Sequence, residues 1–276
     1  MNRYQDLFSR LRDRGEGALI PFLMLGDPTP EASFERICAV VEAGADALEL
    51  GLPYSDPVAD GPTIVAAANR ALAAGVTPVS ALQIVARVRA QYPELPIGLL
   101  VYANLVYVNR VYGPGVQAFF AQVKAAGVDS LLIPDVPMRE SAAIRAAGTA
   151  SGIDNVFILP PNANAVTEAE VARLSQGYVY LLSRAGVTGT ETTAKMPLEH
   201  LIAGLASHHA APAILGFGIS TPEHVHGALA AGAAGVIVGS ALVAKQIGMP
   251  SEQVPLVLAA YVKEMKQATR HKCGPS

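Results

Sequence analysis

Cysteine is scarce: Cys38 and Cys273 are the only two in 276 residues, the first in an apolar run and the second in a polar tail. Neither a disulfide framework nor a cysteine-rich metal site can be built from them, and a reducing compartment fits. Positive charge is also not in excess. Twenty Lys and Arg stand against 23 Asp and Glu, a formal charge of −3, which leaves no general cationic field for nucleic acid or an anionic membrane. A local basic pocket remains open. No apolar run reaches membrane-spanning length. The N-terminal MNRYQDLFSRLRDRGE alternates charge with Leu7, Phe8 and Leu11, which reads as a short amphipathic helix and lacks the apolar centre of a signal peptide. These absences predict a soluble, cytoplasmic protein with no membrane and no nucleic acid as partner. GxxxxGK[ST], HExxH and Cys/His clusters at metal spacing are missing too, so nucleotide hydrolysis and zinc chemistry are poorly supported and no metal is expected.

What is present is a core-forming composition, 51% hydrophobic and 16% charged, and a repeated unit. AGADALEL (43–50), AGVDSLLI (126–133), SGIDNVFI (151–158) and AGAAGVIV (231–238) each end a helix at a small residue and glycine, then begin an apolar strand. QG before YVYLL (178–182) is a looser copy. This grammar places strands at 18–25, 47–50, 97–101, 130–133, 155–159, 178–182, 213–216 and 234–238. Helical patterns lie between them, at 30–43, from Pro62, and at 79–92, 116–126, 139–151, 166–175, 197–207 and 222–231. Near-continuous apolar strands alternating with helices argue for a parallel sheet covered by helices. Eight units in about 250 residues predict a (β/α)8 barrel with an extra N-terminal helix. A doubly wound open sheet is the alternative, though no glycine fingerprint follows the first strand. The expected organisation is one barrel domain over 1–268 and a disordered tail over 269–276.

The stretch LELGLPYSDPVADG (48–61) has polar groups in the wrong place for a packed strand. Glu49 is flanked by Ala47, Leu48 and Leu50, so either pleat pushes a carboxylate towards an apolar interior, where burial raises its pKa. Such a group can give or take a proton near neutral pH. Asp56 and Asp60 follow on a loop punctuated by Gly51, Pro53, Pro57 and Gly61. On spacing alone, these acids serve equally well as a satisfied buried Glu, a turn residue and a helix cap.

A barrel of this kind carries its site on the loops after the strands. The polar residues there are Asp27, Glu49, Asp56, Asp60, Tyr102, Asn104, Asp135, Arg184, Thr188 and Ser240. Three glycine-bearing segments follow the sixth, seventh and eighth strands: Gly186 to Gly189, Gly216 to Ile219, and Gly239 with Ser240. Glycine lets backbone N–H groups approach a ligand, and loops after strands seven and eight often hold phosphate. The long VYANLVYVNRVYGP stretch (101–114) is a candidate pocket lining or partner surface.

These residues also carry a family resemblance. LELGLPYSDPVADGPTI (48–64) resembles the signature of the tryptophan synthase α chain, and PPNA (160–163), YLLSRAGVTG (180–189) and GFGIS (216–220) are similar to that family's other motifs in the same order. The resemblance runs from Tyr4 to about Lys266. It implies a lyase of tryptophan biosynthesis that cleaves indole-3-glycerol phosphate to indole and glyceraldehyde 3-phosphate by a retro-aldol reaction, without a cofactor in this chain. Glu49 would be the acid-base residue and Asp60 the acceptor for the indole N–H. Phe22, Leu100 and Tyr102 would flank the ring, and backbone groups of Gly189, Gly218, Gly239 and Ser240 would hold the phosphate. Thr188 would close over the substrate and bond Asp60. The implied partner is a β subunit that carries pyridoxal phosphate, in an α2β2 heterotetramer, with Asp56 at the contact. A stand-alone lyase releasing indole, and a silent barrel that only regulates a β subunit, are the other readings. Tyr54, Pro134 and a longer 106–115 loop depart from the family pattern.

Overall fold

The computed structural model describes residues 2–107, 115–182 and 198–270. Eight parallel strands close into a barrel in sequence order, β1 Ala18–Met24, β2 Leu48–Gly51, β3 Ile97–Leu100, β4 Ser130–Leu132, β5 Asp154–Leu159, β6 Val179–Leu182, β7 Ala213–Gly216 and β8 Gly235–Val238, with β8 returning to β1. Every one falls within two residues of its predicted span. The barrel therefore replaces the open-sheet alternative.

The helices among the described residues are α1 Arg3–Arg14, α2 Pro30–Glu42, α3 Pro62–Ala73, α4 Pro78–Gln91, α5 Ala103–Tyr107, α6 Val116–Ala125, α7 Ala142–Ser151, α8 Ala165–Leu174, α9 Leu198–Ser207, α10 Pro222–Ala230, α11 Ser240–Ala244 and α12 Val254–Gln267. Proline opens α2, α3, α4 and α10 at their first position, where its fixed φ and missing N–H cost nothing. The predicted 139–151 helix is split: a 3-10 turn at Met138–Glu140 ends at Ser141, whose hydroxyl donates to the Met138 carbonyl at 2.6 Å before α7 begins. The sequence reading did not anticipate α12, which packs along α2. No single helix among the described residues is long and apolar enough to cross a membrane.

The repeat now has a structural meaning. Its glycines at 44, 127, 152 and 232 all take positive φ, between 63° and 112°, which ends the helix and turns the chain into the next strand. In three copies the residue two places on is an aspartate that stitches the barrel floor. Asp46 accepts from the Leu19 N–H and from Lys266, and Asp129 accepts from the Ile97 N–H, Arg3 and Arg89. Asp154 accepts from the Asn2 side chain at 2.7 Å.

Helix α1 closes that floor with Tyr4, Leu7 and Leu11. Tyr4 does more than fill space: its hydroxyl lies 2.9 Å from Ser130 Oγ and its ring 5.5 Å from that of Tyr178. Gly98 makes room for this contact, since a Cβ there would stand 2.9 Å from Ser130 Oγ and 3.1 Å from the Tyr4 hydroxyl. The tail boundary needs correction. Thr269 is fully buried and its carbonyl accepts from the Gly17 N–H at 2.8 Å, and Arg270 bridges to Glu16. Packing therefore runs through Arg270, and 271–276 lie outside the described residues.

Candidate active site

At the carboxyl ends of the strands a cavity of about 760 Å³, counting the part open to solvent, is walled by Phe22, Ile64, Leu100, Leu132, Ile158, Tyr180 and Ile237. Polar groups interrupt this wall at Glu49 and Asp60, and Gly218, Ser220, Gly239 and Ser240 line it as well. Residues that lie 190 positions apart in the chain meet because β2 sits two strands from β8 through β1.

Glu49 pairs in register with Phe22 on one side and Gly98 on the other. Only 2% of it is exposed, and its Oε1 accepts from the Tyr178 hydroxyl at 3.2 Å. Burial pushes its pKa up to about 8; the Tyr178 hydrogen bond opposes the rise and the charge of Asp60 adds to it. The carboxyl is thus held neutral at pH 7 inside an apolar cavity, as its strand context predicts.

Asp60 is half-buried, more enclosed than a polar loop suggested. Burial raises its pKa as well, against a lowering hydrogen bond from Tyr102. Tyr102 is placed differently from expectation. It is fully buried but does not line the cavity; its hydroxyl accepts from the Ala59 N–H at 3.2 Å and bonds Asp60, while its ring stacks on Tyr54 at 5.4 Å. It braces the Asp60 loop through those two bonds. Tyr54, a departure from the family pattern, accepts from Asn104 at 2.5 Å, and the Asp135 carboxylate caps α5 at the Ala103 N–H.

Phe22 and Leu100 lie in the wall as expected. Gly218, Gly239 and Ser240 meet on one side of the mouth. Phe217 and Gly218 both have positive φ, 64° and 79°, and a phenylalanine in that region marks a backbone held by its surroundings. Thr188 and Gly189 lie outside the described residues. Asp56 is exposed beside Ser55, whose hydroxyl bonds its carboxylate, and Val58 is 70% exposed next to it.

Sequence reasoning missed Tyr178, Tyr180 and Ile64. Tyr180 forms wall at the cavity and crosses Phe217 edge-on at 6.4 Å. The neighbouring Gly216 carried a signal for it, because a Cβ at Gly216 would collide with the Tyr180 ring.

Fold and cavity together define a (β/α)8-barrel protein with two carboxyl groups and a glycine-rich rim at the carboxyl ends of its strands. The family model described as "Tryptophan synthase alpha chain" matches residues 8–270. Proteins named tryptophan synthase alpha chain from Klebsiella pneumoniae and Serratia proteamaculans are 51% and 53% identical over 273 residues, covering 98% of this chain and 99% and 100% of theirs. The chain belongs to the tryptophan synthase alpha chain family. Among solved structures, tryptophan synthase subunit alpha from Legionella pneumophila superposes with a TM-score of 0.85 at 29% identity, covering 98% of each chain. Tryptophan synthase from Mycobacterium tuberculosis gives 0.85 at 32% identity, covering 98% of this chain and 99% of that one.

Proposed function

We propose that this barrel, a single domain, cleaves indole-3-glycerol phosphate to indole and glyceraldehyde 3-phosphate. Glu49 is the acid-base residue and Asp60 the acceptor for the indole N–H. The observation that carries this reading is a buried, neutral carboxyl facing an apolar cavity whose rim presents the backbone of Gly218, Gly239 and Ser240. Protonated Glu49 gives its proton to the indole carbon that bears the glycerol chain, C3, which breaks the ring's aromaticity and leaves a cation. The resulting carboxylate takes the proton of the adjacent glycerol hydroxyl. That oxygen becomes the aldehyde carbonyl as the carbon–carbon bond breaks, and the bonding pair returns to the ring. Glu49 ends neutral again, so one residue serves both halves. Asp60, ionised, stabilises the cation through the ring N–H.

Phe22 and Leu100 flank the ring, and the phosphate sits on Gly218, Gly239 and Ser240, where glycines admit close approach of N–H groups. By family pattern Gly189 joins that end, and Thr188 closes over the substrate and bonds Asp60. The ring itself takes up the electron pair, so this chain requires no cofactor. Its partner is a β subunit carrying pyridoxal phosphate, met through the exposed Asp56 and Val58, in an α2β2 assembly in the cytoplasm.

Indole release from indole-3-glycerol phosphate by the purified chain, measured with and without a β subunit, tests the proposal. Turnover that rises strongly with β subunit supports it. Equal turnover alone and with partner identifies a stand-alone lyase, and activation of a β subunit without any indole formation overturns the catalytic reading.

A further inference from the structure

Away from the cavity, a charged cluster surrounds the buried Asp27, on the turn between β1 and α2. Its side chain is gripped bidentately by Arg70 of α3, Nε to Oδ1 and Nη2 to Oδ2, each at 2.7 Å. Asp27 is 4% exposed and Arg36 of α2 is 6% exposed. Nη1 of Arg36 donates to the Asp27 carbonyl at 3.3 Å and to Oε1 of Gln246 at 2.7 Å. Arg70 thus holds the Asp27 carboxylate, while Arg36 links the Asp27 carbonyl to the Gln246 amide. Buried ionic groups add little net stability, because desolvation offsets their attraction, but they fix geometry.

What this cluster fixes is decided by where its arms lead. Arg70 lies eight residues past Pro62, about 12 Å along α3 at 1.5 Å per residue, and Pro62 follows Asp60 by two. Gln246 stands just beyond α11, whose first residue is Ser240. Helix α3 also packs against α11 and β1. The cluster therefore holds the outer ends of two helices whose inner ends carry the two polar ends of the cavity.

We infer that Asp27 is a positioning residue that sets the separation between Asp60 and the Gly239–Ser240 backbone. It acts on α3 through Arg70, and on α11 through Arg36 and Gln246. The inference rests on the reading of the cavity as an indole-3-glycerol phosphate site. That substrate is one covalent molecule with a ring N–H at one end and a phosphate at the other, so the two receiving groups must stand at a set distance. Misplacement by about 1 Å can cost up to about 100-fold in rate.

The two arms make the inference testable by a split. In the full chain, Arg70→Met and Gln246→Ala are compared for kcat on indole-3-glycerol phosphate, for the Kd of inorganic phosphate by calorimetry, and for melting temperature. Arg70→Met is expected to lower kcat about tenfold with a smaller change in phosphate Kd. Gln246→Ala is expected to raise phosphate Kd about fivefold with a smaller effect on kcat. Asp27→Asn should move both, and Arg70→Lys should recover part of the lost kcat. A purely structural ion pair would lower the melting temperature of every variant while kcat and Kd at 25 °C stay put; that outcome, or both arms shifting the same parameter, overturns the inference. Should Asp27→Asn fail to fold, the half-exposed Gln246 still reports. If the parent chain neither releases indole nor binds phosphate, the fault lies with the cavity reading, and the inference falls with it.

Discussion

The Tyr178 hydroxyl reaches across the barrel interior to Glu49 Oε1, 3.2 Å away, joining the residue just before β6 to the middle of β2 on the opposite side. Both side chains are buried, and burial raises the tyrosine's pKa well above its usual value. The phenol therefore keeps its proton, and by donating it to Oε1 it favours the charged form of Glu49.

Burial of Glu49 sets the alkaline limb of activity, and the Tyr178 bond holds it lower than burial alone would. With Glu49 held up to about 8, kcat/KM should fall as pH rises through that value, because the proton needed at the start is lost. Tyr178→Phe removes the group that favours the carboxylate, so the limb should move to higher pH, by about one unit for one hydrogen bond. A pH profile of kcat/KM for both proteins checks this, and a downward move would contradict it.

The same residue shapes stability. Its pKa rises from 4.5 unfolded to about 8 folded, so the native state binds the proton more tightly. The stabilisation is complete below pH 4.5 and is lost as pH climbs to 8 and beyond. Urea unfolding at pH 5 and pH 9 should show a decline on the order of 4 kcal/mol from this group, and Glu49→Gln should flatten that decline. An unchanged slope in the variant would remove Glu49 as its source.

The two acids should not be equal. Glu49→Gln leaves no proton to give and should cost at least about 1,000-fold in indole release. Asp60→Asn keeps an acceptor for the ring N–H and loses only the charge, so about 10- to 100-fold is expected. Single-turnover assays on both variants rank them, and a greater loss at Asp60 would reverse the assigned roles.

Gly216 offers a test of the wall. Gly216→Ala drives a methyl into the Tyr180 ring, which must swing towards the cavity or be displaced. Destabilisation of about 1–3 kcal/mol is expected from overpacking, together with a higher KM. Tyr180→Leu in the same background should relieve the stability loss if that collision is its cause.

Much of this architecture was legible because it is written locally. Strands such as AILG and GVIV are unbroken apolar runs, and Gly232, which ends the helix before GVIV, is visible one turn earlier, whereas His209 takes the left-handed position before AILG. Glu49 stood out for the same reason, as one charge inside an apolar tetrad. The groups that closure assembles were not legible. Tyr178 reads as an ordinary β-forming aromatic until the strand across the barrel is known, and Tyr102 reads equally well as wall or as brace. Asp27 and Arg70 are 43 residues apart with nothing periodic linking them. The aspartates of the repeat were seen as spacing, yet their partners lie on other units of the barrel, beyond the reach of any window.

Strand β1 is hydrogen-bonded to both β2 and β8. As a chain is made from its N-terminus, at about 5–20 residues per second, β8 emerges roughly 10 to 40 s after β1. For that interval a seven-residue apolar strand, ALIPFLM, has one edge without its native neighbour. Cells making this protein thus depend on something other than the finished fold to keep nascent copies apart, and a chain cut short before residue 238 would carry that exposed edge permanently.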